Sequence, residues 1–219
     1  RDTINALNVF PVPDGDTGTN MMLTLRSVVD DIGDDASGTI GEVANRMARA
    51  ALLGARGNSG LILAQFFKGL SESLGTTDGE PLLRGSSFAK SLRIAATNSY
   101  KAVPNPVEGT MLTVYRECAE VAEASAAKNG SFENVLSAVA ASSLETVRRT
   151  PQLLPVLAEA EVVDSGGVGF AVMLDGALRA LHGEEPAARV VEVPMPGGAK
   201  FSGSVKADFV DASEEIDWG

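Results

Sequence analysis

Thiols, histidines and positive charge are all scarce in this chain of 219 residues, and each scarcity removes a class of function. Cys118 is its single cysteine, so the chain holds neither a disulfide framework nor a thiolate zinc site. Placed in a helix-like run, Cys118 reads as a small buried thiol. The single histidine, His182, rules out a multi-histidine metal site and Ser-His-Asp chemistry of the usual kind. Standing just before Gly183, it reads as a helix-ending residue. Eighteen basic against 29 acidic residues give a formal charge of −11, which leaves no basic face for nucleic acid and mainly promotes solubility. No uncharged apolar run approaches about 18 residues, so no membrane span is expected. No signal-like segment follows Arg1, and the expected location is cytoplasmic. Two common nucleotide motifs are missing as well: Gly-x4-Gly-Lys-Ser/Thr, and Gly-x-Gly-x-x-Gly between a strand and a helix.

What the chain does contain is helical periodicity. Met21, Leu25, Val28, Val29 and Ile32 keep helical spacing, as do Ile40, Val43, Met47 and Ala51. Similar stripes run through 58–74, through 88–99 (ending before Pro104), and through 111–121, 135–144, 153–160 and 167–181. Together they predict about eight helices, closely packed through their many small residues, as an all-α antiparallel bundle or barrel. Residues 1–182 form this domain. Beyond it the pattern changes: 189–194 and 201–210 alternate like strands around a Pro-Gly-Gly turn, so 183–219 reads as a linker or the start of a following β-containing domain.

The chemistry concentrates where glycine clusters precede helices. Asn8 to Asn20 carries Asp14 and Asp16 around Gly15, two carboxylates that repel unless a hard cation or cation-bound phosphate lies between them. An EF-hand loop is excluded, because Gly18 and Leu25 fall at the fifth and twelfth positions. Spacing alone is equally met by a turn followed by a helix cap. Three further junctions resemble the first: Gly54 to Gly60 before an apolar helix, Glu108-Gly109-Thr110-Met111, and Asp164-Ser165-Gly166-Gly167. Each places backbone N–H donors at a helix start, where phosphate is stabilised. Gathered at one end of a bundle, they would form a shared anion site.

The run from Asn5 to Met22 closely resembles the N-terminal signature of the ATP-binding subunit of bacterial fatty acid kinases, itself related to the nucleotide-binding L subunit of dihydroxyacetone kinase. Segments 54–60, 108–112 and 163–169 follow in the order of that family, and the resemblance covers about residues 1–182. It implies an eight-helix barrel binding ATP and paired Mg2+ ions at its loop end, with Asp14 and Asp16 as metal-binding and catalytic carboxylates. Asn8, implied as a further metal ligand, lies near the position where the dihydroxyacetone relatives carry another metal-binding Asp. Thr17, Gly18, Thr19, Asn20, Ser59 and Gly60 match phosphate-contacting positions. Gly109, Thr110, Met111, Asp164, Ser165, Gly166 and Gly167 would border the nucleotide. Thr17 replaces a histidine of the dihydroxyacetone relatives, which favours the fatty acid branch.

The implied reaction is phosphoryl transfer to a fatty acid carboxylate, giving acyl phosphate, with the lipid delivered by a separate DegV-family binding protein. The same resemblance allows a homodimer formed through regions outside this chain. A dihydroxyacetone-kinase-type nucleotide subunit, a non-catalytic nucleotide sensor and a structural interaction module are the alternatives.

Overall fold

The computed structural model describes residues 1–33, 37–74, 83–128, 130–184, 193–194 and 200–201. Among them, nine helices follow one another: α1 (Asp2–Ala6), α2 (Thr17–Ile32), α3 (Ile40–Leu53), α4 (Gly57–Leu74), α5 (Gly85–Ala102), α6 (Met111–Ala127), α7 (Phe132–Leu153), α8 (Pro155–Glu159) and α9 (Ser165–Leu181). The protein is all-α, as its periodicity predicts. Consecutive long helices from α2 to α7 pack side by side, and α9 lies against both α7 and α2, which closes the ring. A two-residue antiparallel pairing, β1 (Val193–Pro194) with β2 (Lys200–Phe201), falls where strand-like alternation was read. The remainder of the expected strand over 201–210 lies outside the described residues.

Local chemistry explains most helix ends. Thr39 and Glu42 form a reciprocal capping box at the start of α3, and Ser131 accepts from Asn134 N–H at the start of α7. Pro155 opens α8, where its missing N–H costs nothing. His182 is the C-cap of α9, and Gly183 follows with φ of 69°, the left-handed geometry that ends helices.

Two elements differ from the periodicity. Helix α1 was not anticipated, because five residues are too few to show a stripe. Helix α2 begins at Thr17, a turn before the first apolar stripe residue, because Gly18 allows its backbone to lie against Arg1 O and Ile4 Cβ of α1. A side chain at 18 would collide there.

The ring is filled by apolar side chains, with an aromatic cluster of Phe66, Phe67, Tyr115 and Phe170 at its centre; the Tyr115 and Phe170 ring centroids are 4.3 Å apart. Each such ring removes about 150–250 Å2 from water, which anchors α4, α6 and α9 to one another. Cys118 is fully buried and donates weakly to Val139 O, and burial pushes its thiol well above the ordinary range. No helix among the described residues is long and apolar enough to cross a membrane.

Candidate anion and metal site

Helices α2, α4, α6 and α9 begin at the same end of the ring, and residues from all four starts line one cavity of about 500 Å3. That volume suits a nucleotide-sized ligand. The loop from α1 to α2 contributes Asn8, Asp14, Asp16 and Thr17. Asp14 and Asp16 are exposed on the cavity wall, and Gly15 between them has φ of 67°, a conformation that other residues rarely adopt. Asn8 staples this loop. Its Oδ1 accepts from Asp16 N–H and Thr17 N–H, both at 3.2 Å, while its Nδ2 donates to Val12 O at 3.1 Å and Phe10 O at 3.4 Å.

Close glycine contacts lock α4 to α2. A methyl at Gly57 would strike Asn20 Nδ2, and one at Gly60 would lie 2.5 Å from Thr24 Oγ1. Thr24, fully buried, donates to Asn20 O at 2.8 Å and accepts from Arg56 N–H at 3.3 Å. Asn20, Asn58 and Ser59 line the cavity beside this contact. Among the described residues, the Asn58 and Ser59 N–H groups meet no acceptor and remain available to an anion.

At the start of α6, Thr110 accepts from Leu112 N–H and donates to Val107 O. Gly109, with φ of 83°, packs against Leu154 and Thr150 and donates to Thr113 Oγ1 at 2.8 Å. Thr113 in turn donates to Glu108, which also receives Tyr100 and Arg116. Burial works to raise the Glu108 carboxyl, but these three donors outweigh it and hold it below its ordinary range. Thr110 and Met111 line the cavity, with Val103 and Pro104 adding an apolar flank.

Asp164 ties α9 to α6. Its carboxylate accepts from Gly167 N–H at 2.6 Å and from Met111 N–H, and its own N–H donates to Thr150 Oγ1. Burial pushes this carboxyl up to about 6, against the pull of the two amide donors. Ser165 and Gly166 complete the wall.

The structure therefore brings Asn8, Asp14, Asp16, Thr17, Asn20, Ser59, Thr110, Met111, Asp164, Ser165 and Gly166 to one cavity. Gly18, Thr19, Gly60, Gly109 and Gly167 sit behind it. Gly18 packs on α1, Thr19 is hydrogen-bonded to Asn5, Gly60 faces Thr24, Gly109 faces Leu154, and Gly167 faces Val114 and Val147. These five shape the wall rather than forming it. Asn8 also differs from a free ligand, since both acceptor positions of its Oδ1 are taken by backbone amides. Asn5, Thr24 and Glu108 went unnoticed as site-forming residues; Asn5 and Glu108 stand inside the quoted motifs, but their role depends on contacts with Thr19 and Thr113 across helix starts.

Four helix N-termini, each equivalent to about half a positive charge, converge on the cavity. The arrangement suits a polyanion. No cluster of three or more metal-ligating side chains occurs among the described residues. Two exposed carboxylates with oxygen donors only still fit Mg2+, which is commonly held by one or two carboxylates plus substrate phosphate and water.

Comparison with known proteins agrees with this architecture. Residues 11–179 match the family described as the DAK2 domain. An uncharacterized protein of Staphylococcus saprophyticus is 43% identical over 183 residues, covering 84% of this chain and 33% of its own length. Protein YloV of Bacillus subtilis is 38% identical over 216 residues, 99% of this chain and 38% of its own. An uncharacterized protein of Staphylococcus aureus strain USA300 is 40% identical over 192 residues, 88% and 34% respectively. The chain thus spans about a third of the length of these curated relatives. With a family match across most of its length and a ring of helix starts at one nucleotide-sized cavity, the chain belongs to the DAK2 domain family, a kinase-related family of nucleotide-binding domains.

Proposed function

We propose that this domain binds ATP with Mg2+ and is the nucleotide-binding part of a cytoplasmic kinase that phosphorylates the carboxylate of a fatty acid, giving acyl phosphate. The observation that carries the reading is the cavity itself: four helix starts line it, and two exposed carboxylates stand on the same wall. In a chain of net charge −11, those carboxylates would repel phosphate on their own. Bound Mg2+, as a pair of ions held by Asp14 and Asp16, would supply charge neutralisation for the phosphates. Asn58 and Ser59 N–H, with the Ser165-Gly166 start of α9, hold phosphate oxygens, and the apolar flank at Val103 and Pro104 excludes water from one side. Phosphoryl transfer depends mainly on such positioning and charge stabilisation.

The acceptor follows from proton chemistry. His182 lies at the far end of α9, hydrogen-bonded to Glu133 at 3.0 Å and away from the cavity. A fatty acid carboxylate is already ionised near neutral pH and attacks without a general base. A hydroxyl acceptor such as dihydroxyacetone would require one. The lipid would come on a separate DegV-family binding protein, docked by regions outside this chain, which would also hold any homodimer contact.

The test is calorimetry of ATP with and without Mg2+, comparing the parent with the Asp14→Asn, Asp16→Asn double variant. Magnesium-dependent binding lost in the variant is the expected result; a folded parent indifferent to ATP would refute the nucleotide reading. Adding the remaining domains with either lipid-loaded carrier or dihydroxyacetone then identifies the acceptor by which substrate becomes phosphorylated.

A further inference from the structure

Helix α2 is started differently from α3, α6, α7 and α9. Thr39, Thr110, Ser131 and Asp164 cap their helices with their own side chains from extended backbone, with ψ of 158°, −178°, 165° and 119°. Asp16 occupies the same position before α2, and aspartate is among the preferred capping residues. Its side chain makes no cap hydrogen bond, and its backbone is helical, with φ of −114° and ψ of −5°. Two of the amides near it are claimed from elsewhere. Thr19 N–H, the third amide of the helix and the usual partner of a capping side chain, donates to Asn5 Oδ1 at 3.0 Å. Asn5 Nδ2 donates to Thr19 Oγ1 at 2.9 Å, which fixes the amide's orientation. Thr17 N–H, the first amide, is held by Asn8.

We infer that, given a magnesium–nucleotide site at this cavity, Asn5 is a positioning residue: it caps α2 in place of Asp16 and so keeps the Asp16 carboxylate out on the cavity wall for the cation. Two functions compete for one carboxylate here. A carboxylate engaged by the N-terminal amides of its own helix turns toward that helix and offers fewer lone pairs to a metal. Asn5 removes the competing donor without adding charge, and Asn8 holds the preceding amides so that the loop stays in the uncapped geometry. The sequence distance of 14 residues between Asn5 and Thr19 is bridged by packing α1 against Gly18.

Asn5→Ala frees Thr19 N–H, and Asp16 is expected to take it. Two readouts follow. In NMR, the Thr19 amide proton of Asn5→Ala should stay protected from solvent exchange through Asp16, and this protection should vanish in Asn5→Ala, Asp16→Ala. In calorimetry, the gain in affinity for a non-hydrolysable ATP analogue on adding Mg2+ should fall about fivefold, the equivalent of a cap worth about 1 kcal/mol, while metal-free affinity stays as in the parent. Thr19→Val, which removes only the hydroxyl that orients Asn5, gives a milder loss in the same direction and serves if Asn5→Ala folds poorly. A Thr19 amide that exchanges freely in Asn5→Ala, or equal losses with and without Mg2+, would overturn the positioning role and leave Asn5 a purely structural staple. A parent with no magnesium-dependent gain would overturn the metal reading instead, and the amide exchange would still decide whether Asn5 displaces Asp16 from the cap.

Discussion

Replacing Asp164 with asparagine should stabilise the protein at neutral pH and leave it unchanged in acid. The carboxyl is raised from 3.8 to about 6, chiefly by burial, so the folded chain holds this proton more tightly than the unfolded one. Its contribution to stability is therefore fully present below about pH 4 and is lost as pH rises to about 6. At about 1.4 kcal/mol per pKa unit, the cost above pH 6 reaches about 3 kcal/mol. Asparagine keeps an oxygen for Gly167 N–H and is an equally good capping residue, but its NH2 needs an acceptor of its own. The expected gain at pH 7.5 is thus about 1–3 kcal/mol, or a rise in Tm of about 2–12 °C for a domain of this size. Urea unfolding of both proteins from pH 4 to pH 8 is the assay. The two stabilities should diverge between pH 4 and 6 and run parallel above. A difference independent of pH would refute the reasoning, because it would show that Asp164 carries the same charge in folded and unfolded chains throughout.

Other expectations are simpler to state. The Tyr115 hydroxyl is buried with no hydrogen-bond partner among the described residues, so Tyr115→Phe should raise stability by about 1 kcal/mol in urea melts; a loss of that size would reveal a partner for the hydroxyl. Gly60→Ala improves helix propensity by about 1 kcal/mol but sets a methyl 2.5 Å from Thr24 Oγ1, and overpacking of this kind costs about 1–3 kcal/mol. The net should be a lower Tm and weaker nucleotide binding as α4 is pushed from α2, whereas a raised Tm with intact binding would show that the contact is soft.

Much of the architecture was legible because amphipathic periodicity is a local signal. The stripes at 58–74 and 167–181 fall within α4 and α9 almost residue for residue. The glycine clusters announced where helix starts converge, since the close side chains of Asn20 and Thr24 leave few alternatives to glycine at Gly57 and Gly60. What the sequence obscured were roles assigned by tertiary contact. Thr19 and Gly18 look like phosphate contacts in a Thr-Gly-Thr-Asn run, yet α1 covers them, and α1 is too short to announce itself. Asn8 read as a candidate metal ligand, but an amide has both donor and acceptor, and this loop uses both to close on itself. Glu108 reads as an ordinary exposed acid until Tyr100, Thr113 and Arg116 are seen to converge on it.

Because consecutive long helices alternate in direction, the helix ends of this ring fall into two sets with separate duties. The starts of α2, α4, α6 and α9 build the cavity, while the ends of α2, α4 and α6 and the starts of α3, α5 and α7 belong to the opposite pole, where Glu133 meets His182. Insertions, tags or tethers spliced in at that second set of ends would leave the ligand-bearing pole untouched. Length variation is thereby channelled by topology itself: the chain can grow at one pole without renegotiating its chemistry at the other.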